Sequence, residues 1–205
     1  MRKHLGAEKI SLWGISYGSH LALAAMTAIP DEIDKVVIAI VEGLDQTAKL
    51  PSRTDTYFEQ LAPFVYPDQP IVLRAMPTAM DRASGITQSR LARVEKEAES
   101  SLLGAYLNFP MPQAFTELEY IDLGDEFRTG PESAIPTLVL TGSLDGRTYP
   151  ASQREATSGL TNATHITVNG AGHNLFMASP AVGEVMGEFF SGRPVTMATI
   201  EILDP

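Results

Sequence analysis

Four short apolar runs punctuate the chain, at residues 10–15, 36–41, 137–141 and 165–168. All are rich in β-branched residues, and the first three are nearly continuous rather than alternating. That is the pattern of parallel strands covered on both faces. Each run ends in glycine or a polar turn: Gly14 to Gly18, Glu42-Gly43, Gly142-Ser143 and Asn169-Gly170. Between the first two lies an alanine- and leucine-rich stretch, residues 19–29, closed by Pro30. It predicts a helix crossing from one strand to its parallel neighbour. After the fourth run, Val182, Val185, Met186, Phe189 and Phe190 recur at helical spacing within 180–190. A final edge strand is expected within 195–203. The expected class is α/β: a parallel sheet of about four core strands with flanking helices.

Residues 45–132 break this rhythm. They contain no convincing buried strand and hold Pro63, Pro67, Pro70, Pro77, Pro110 and Pro112. One good helix is expected near 87–103. The segment carries 8 basic and 14 acidic side chains, so most of the chain's net charge of −10 sits here. The expected organisation is a core of residues 1–44 and 133–205, interrupted by a mostly helical insertion, 45–132. Insertions of this length between strands usually serve function, although acidity alone also suits a solvated surface.

Composition narrows the chemistry. With 44% hydrophobic and 20% charged residues among 205, the chain can bury a real core. The absence of cysteine excludes disulfides, thiolate metal sites and a cysteine nucleophile. An excess of acidic over basic side chains argues against nucleic acid, because nothing would neutralise a run of phosphates. No apolar run approaches the ~20 residues that span a bilayer, so no membrane partner is expected. Met1-Arg2-Lys3 followed by the apolar run 21–29 has the parts of a signal peptide. Glu8, Lys9, Ser11, Ser16 and His20 interrupt it. The expected location is the cytoplasm, and the sequon Asn162-Ala163-Thr164 matters only for a secreted chain.

The sharpest chemical signal is Gly14-Ile15-Ser16-Tyr17-Gly18. A serine with glycine two residues away on each side, after a strand and before a helix, matches a nucleophile elbow. The turn would hold Ser16 in a strained conformation with its hydroxyl exposed, and side chains at 14 and 18 are expected to collide with the crossing strand and helix. The Tyr17 amide would then face a developing oxyanion, aided by the positive end of the helix. A serine hydroxyl needs a base, and the base an orienting acid, in the chain order serine, acid, histidine. His173, in Gly170-Ala171-Gly172-His173-Asn174, follows the last core strand and is the expected base. His4 precedes the serine, His20 is expected to pack within the helix, and His165 begins a strand. Asp145 stands just beyond the third strand and is the expected acid, with Glu42 and Asp45 as rivals.

These segments resemble an α/β-hydrolase, in particular the proline iminopeptidase and tripeptidyl-aminopeptidase-like branch. The resemblance runs through residues 4–25 around the elbow and Val41-Glu42-Gly43-Leu44-Asp45-Gln46-Thr47 with Lys49-Leu50-Pro51. It continues through 136–150 around Asp145 and 170–176 around His173. It implies a Ser16–His173–Asp145 triad, a cap formed by 45–132, and no metal or organic cofactor. Members of that branch carry about a hundred residues before the elbow, including a loop that supplies a second oxyanion amide. Here the elbow arrives at residue 14, so a truncated sheet is expected, with Tyr17 as the identifiable oxyanion donor.

Three functions follow as expectations. The first is a serine hydrolase cleaving small carboxylic esters through an acyl-enzyme on Ser16. The second is an aminopeptidase acting on short peptides, in which Glu42 holds the substrate amine. The third is a weakly active or non-catalytic half-domain needing a partner chain. The strand Ile10–Ile15 should form an open apolar sheet edge, an association hazard unless covered. A homodimer covering that edge is the expected state. Light scattering at micromolar concentration should give twice the chain mass; a stable monomer would overturn this.

Overall fold

The computed structural model describes residues 2–61, 75–108 and 121–202. In chain order the elements are β1 (Ile10–Ile15), α1 (Tyr17–Ala28), β2 (Ile33–Ala39), α2 (Pro51–Leu61), α3 (Ala75–Ser84) and α4 (Gln88–Ala98). They continue with α5 (Gly124–Arg128), β3 (Thr137–Gly142), α6 (Pro150–Ala156), β4 (Ala163–Asn169), α7 (Pro180–Phe190) and β5 (Thr199–Glu201). The chain divides into two compact units, Met1–Gly43 with Gly130–Pro205, and Leu44–Thr129.

The first unit is a five-stranded parallel sheet in the order β1-β2-β3-β4-β5. The apolar runs explain the order of burial. All six residues of β3 are buried, as its continuous sequence requires of a strand in mid-sheet. One face carries Val37, Ala39, Leu138, Leu140, Ile166 and Val168 against Val182 and Val185 of α7. Each such valine, leucine or isoleucine side chain, removed from water, contributes about 1.5–3 kcal/mol. α1 packs on β1 and β2, with Leu23 and Met26 fully or almost fully buried.

Some boundaries differ from the sequence reading, for local reasons. β2 starts earlier than expected, at Ile33, and stops at Ala39 rather than 41 because Ile40 turns to φ 47°. The helix expected over 87–103 is shorter, Gln88–Ala98, with the Thr87 hydroxyl accepting from the Arg90 amide as its cap. The α1 helix begins at Tyr17, before the expected 19, and Pro30 follows its C-cap Ile29. β5, the edge strand expected within 195–203, is three residues long and joins the four core strands at β4; residue 203 lies outside the described residues. β1 is not covered on both faces: it lies at a sheet edge, and Trp13 is 50% exposed.

Within the second unit, the described residues Ala48, Leu50 and Val94 form an apolar cluster, and polar bonds join the segments that carry α2 to α5. The Ser52 hydroxyl donates to Glu97, and the Leu102 amide to Asp55. The buried Arg128 donates to the Ser84 carbonyl and pairs with Asp122 and Asp125. Gly85, at φ 66°, makes room for that guanidinium, which a Cβ there would strike. Pro63, Pro67, Pro70, Pro110 and Pro112 lie outside the described residues. Among the described residues, no helix is long and apolar enough to cross a membrane.

Candidate active site

The site grows from the turn that ends β1. A Cβ on Gly14 would sit 2.2 Å from the Gly18 carbonyl oxygen and 2.8 Å from the Ser19 nitrogen, so only glycine lets the helix fold back on the strand. Ser16 stands at the apex with φ 51°, in the left-handed region that serine rarely enters. It occupies the N-cap position of α1, yet its side chain makes no capping bond. The hydroxyl is turned instead to His173, whose Nε2 lies 3.0 Å from Ser16 Oγ. His173 Nδ1 lies 3.0 Å from Asp145 Oδ1. Since a carboxylate can only accept, Nδ1 carries the proton and Nε2 is left to accept from the serine hydroxyl.

Two crossing loops hold this chain of bonds. The loop after β3 carries Asp145 and the loop after β4 carries His173. The Leu144 amide donates to the Ala171 carbonyl at 2.9 Å, and the Gly170 amide to Ser143 Oγ at 2.9 Å. Gly142 permits the crossing, because a Cβ there would meet the Ala171 and Gly172 carbonyl oxygens at 2.6 and 2.7 Å.

A family model of the α/β-hydrolase fold matches residues 1–180. The chain belongs to the α/β-hydrolase fold family. Among solved structures, it is similar to an α/β-hydrolase enzyme from a Medee basin deep-sea metagenome library. That match has 21% identity and a TM-score of 0.50, over 96% of this chain and 70% of the other. A mutant of the meta-cleavage product hydrolase CumD from Pseudomonas fluorescens IP01, complexed with acetates, matches at 16% identity and a TM-score of 0.51. The shares covered are 93% and 68%. An α/β-hydrolase from sediments of the Mar Chica lagoon, Morocco, matches at 18% identity and a TM-score of 0.46, over 93% of this chain and 65% of its own. The chain thus spans about two thirds of the length of these structures. Likeness at such identities shows the fold alone. No curated protein matches.

In this α/β-hydrolase Asp145 is fully buried. Burial alone would raise its pKa. Hydrogen bonds from His173, from the Thr148 hydroxyl and from the Thr148 and Arg147 amides outweigh burial and hold it below the ordinary carboxylate value. Gln153, also fully buried, donates to Asp145 Oδ2 at 3.3 Å and to the Thr148 carbonyl at 2.7 Å, while accepting from the Thr141 hydroxyl. Sequence reasoning missed Thr148, Gln153 and Gly142. Their partners are set by how α6 and the His173 loop return to the end of β3, which leaves no pattern in the sequence.

The remaining candidates have other surroundings. His20 is fully buried, stacks on the Tyr17 ring with centroids 4.9 Å apart, and has its pKa lowered to about 4. Burial drives that shift, partly offset by bonds to the backbone of Gly43 and Glu42. His165 is lowered by burial and by Arg154, and His4 is exposed. Asp45, a rival acid, accepts from the Thr87 amide at 2.7 Å and from its hydroxyl at 2.5 Å. The Glu42 amide donates to Ser19 Oγ at 2.9 Å. The Tyr17 N–H is the first amide of α1, which no helical carbonyl can accept. Among the described residues no group of three His, Asp or Glu is arranged to hold a metal ion.

Gly18 corrects the expectation that both elbow glycines are sterically required. A Cβ at 18 meets nothing within 4 Å among the described residues, because the close contact runs from position 14 to the backbone of 18 and not the reverse. Gly14→Ala should therefore cost about 3 kcal/mol or more, whereas Gly18→Ala should be neutral or stabilise by up to ~1 kcal/mol. Urea midpoints test this, and equal losses would contradict it. A second test uses pH. The folded pKa of Asp145 lies below its unfolded value, so its contribution is present above that unfolded value and is lost as pH falls through the folded pKa. The stability gap between the native chain and Asp145→Asn should accordingly narrow below about pH 4; a gap independent of pH would refute the assignment.

Proposed function

We propose that this α/β-hydrolase is a serine hydrolase that cleaves small carboxylic esters through an acyl-enzyme on Ser16. The observation that carries the reading is the unbroken chain from Ser16 Oγ through His173 to buried Asp145, at 3.0 Å in each link. His173 Nε2 would take the hydroxyl proton as Ser16 Oγ attacks the ester carbonyl carbon. Asp145, ionised, stabilises the imidazolium and keeps Nδ1 protonated. The carbonyl oxygen becomes an oxyanion facing the Tyr17 N–H and the positive end of α1. As the tetrahedral intermediate collapses, the C–O bond to the alcohol breaks and His173 protonates the leaving oxygen. A water deprotonated by His173 then attacks the acyl carbon, releasing the acid and restoring Ser16.

Esters are favoured over amides by the leaving group, because an alkoxide leaves more readily than an amine and so asks less of the oxyanion donors. A second reading is an aminopeptidase of the proline iminopeptidase type. Its support is that the Glu42 amide is bonded to Ser19, three residues beyond Ser16, which keeps this carboxylate-bearing residue next to the nucleophile's helix. The same proposal assigns the unit Leu44–Thr129 as a cap, the cytoplasm as location, and a homodimer through β1, which pairs only with β2 among the described residues.

Hydrolysis of a short-chain p-nitrophenyl ester and of prolyl-p-nitroanilide, each beside Ser16→Ala, tests the reading. Ester turnover should fall by at least about 10³-fold in the variant, with little anilide cleavage in either. Predominant anilide cleavage favours the aminopeptidase, and ester turnover surviving Ser16→Ala rejects the nucleophile. No turnover in a cooperatively folded sample favours the half-domain.

A further inference from the structure

Ser19 is fully buried one turn into α1 and is not one of the three residues linked through His173. Both of its hydrogen-bonding groups are aimed at one atom. Its amide lies 2.8 Å, and its hydroxyl 2.5 Å, from the Ser16 carbonyl oxygen. The hydroxyl also accepts from the Glu42 amide at 2.9 Å. Neither bond direction is open to choice: an amide can only donate and a carbonyl can only accept, so the Ser19 proton must point at Ser16 O.

That carbonyl belongs to the peptide unit whose other end is the Tyr17 N–H. In a planar trans peptide the C=O and N–H point in opposite directions, so fixing one fixes the other. We propose that Ser19 is a positioning residue for the oxyanion donor, holding the Ser16–Tyr17 peptide plane so that the Tyr17 N–H faces the reacting carbonyl. The inference rests on the serine-hydrolase reading above.

The bonds form a continuous row: Glu42 N–H to Ser19 Oγ–H, then to the Ser16 carbonyl, then through the peptide to the Tyr17 N–H. Their dipoles point the same way, and each bond polarises the next, with Ser19 itself fully buried. The row is tied to the rest of the sheet. Ile40, a β-branched residue at φ 47°, turns the chain at the end of β2 while its amide donates to the Leu140 carbonyl at 2.9 Å. That turn brings the Glu42 amide over α1, where His20 also bonds to the backbone of Glu42 and Gly43. The Ser16 amide itself donates to the Ala39 carbonyl at 3.1 Å. A left-handed β-branched residue persists only where its surroundings over-determine it, and here they also determine where a proposed catalytic amide points.

The test compares the native chain with Ser19→Ala and Ser19→Cys, the second keeping a weak donor of similar size. Ester kcat should fall about tenfold or more in Ser19→Ala, a fraction of the loss from deleting a whole donor, with KM within about twofold and Ser19→Cys in between. Affinity for a boronic acid, whose adduct with Ser16 carries the tetrahedral geometry, should weaken in step with kcat/KM. A folded Ser19→Ala with unchanged kcat and unchanged boronate affinity overturns the proposal, as does a rise in KM alone. Should Ser19→Ala fail to fold, the Ser19→Cys kinetics decide alone. Absence of Ser16-dependent turnover in the native chain would defeat the serine-hydrolase reading instead. The Tyr17 amide ¹⁵N shift, read by NMR without substrate, then judges Ser19: a shift that moves in Ser19→Cys supports the peptide clamp, and one that does not rejects it.

Discussion

The approach of Gly14 to the backbone of Gly18 is the constraint from which the site follows. Because position 14 has no side chain, β1 can turn into α1 within two residues, and Ser16 is left at the apex in a left-handed conformation. Such a conformation costs on the order of 1–3 kcal/mol for a residue other than glycine. Parallel pairing with β2 offsets that cost through the Ser16 amide, and Ser19 adds two bonds at the Ser16 carbonyl. The same turn points the hydroxyl away from the helix it would otherwise cap and toward His173.

At the other end of the chain of bonds the balance is between burial and hydrogen bonding. A carboxylate taken wholly out of water is costly unless its lone pairs are filled. Asp145 receives His173 Nδ1, the Arg147 and Thr148 amides, the Thr148 hydroxyl and Gln153 Nε2. It therefore stays ionised although fully buried, and an ionised Asp145 fixes the tautomer of His173. The polar network around α6 and the turn around Ser16 are joined through the imidazole of His173. Geometry at one end thus depends on packing at the other, as expected where a site is assembled from the ends of several parallel strands.

The described residues of the two units show different contacts. The sheet unit buries continuous aliphatic runs, so its stability comes from apolar area. Among the described residues of Leu44–Thr129, Ala48, Leu50 and Val94 form an apolar cluster, and Arg128, Asp45, Asp55 and Glu97 make specific bonds between segments. The exposed bonds among these, such as Ser52 to Glu97 and Leu102 to Asp55, each contribute modestly.

The sequence by itself determined the α/β class and the parallel strands, and it singled out Ser16, Asp145 and His173, which the structure brings within hydrogen-bonding distance. Short continuous apolar runs rich in β-branched residues and bounded by turns fit buried parallel strands, as β3 shows, although β1 lies exposed at the sheet edge. Glycine at fixed distances from a serine marks a turn that little else explains. It also distinguished His173 from the other three histidines by its place after a strand. What it could not carry was the identity of the supports. Gln153, Thr148, Ser19 and Gly142 look like any helical or turn residues along the chain, and each matters only through a neighbour brought to it by a crossing loop. The left-handed turn at Ile40 is invisible for the same reason, since the apolar run continues through it while the backbone does not. Gly18 shows the converse, a motif position whose open surroundings appear only once α1 is laid against β1. Local pattern fixes periodicity and turns, whereas hydrogen-bond partners far apart in sequence are decided by which strand ends the sheet brings side by side.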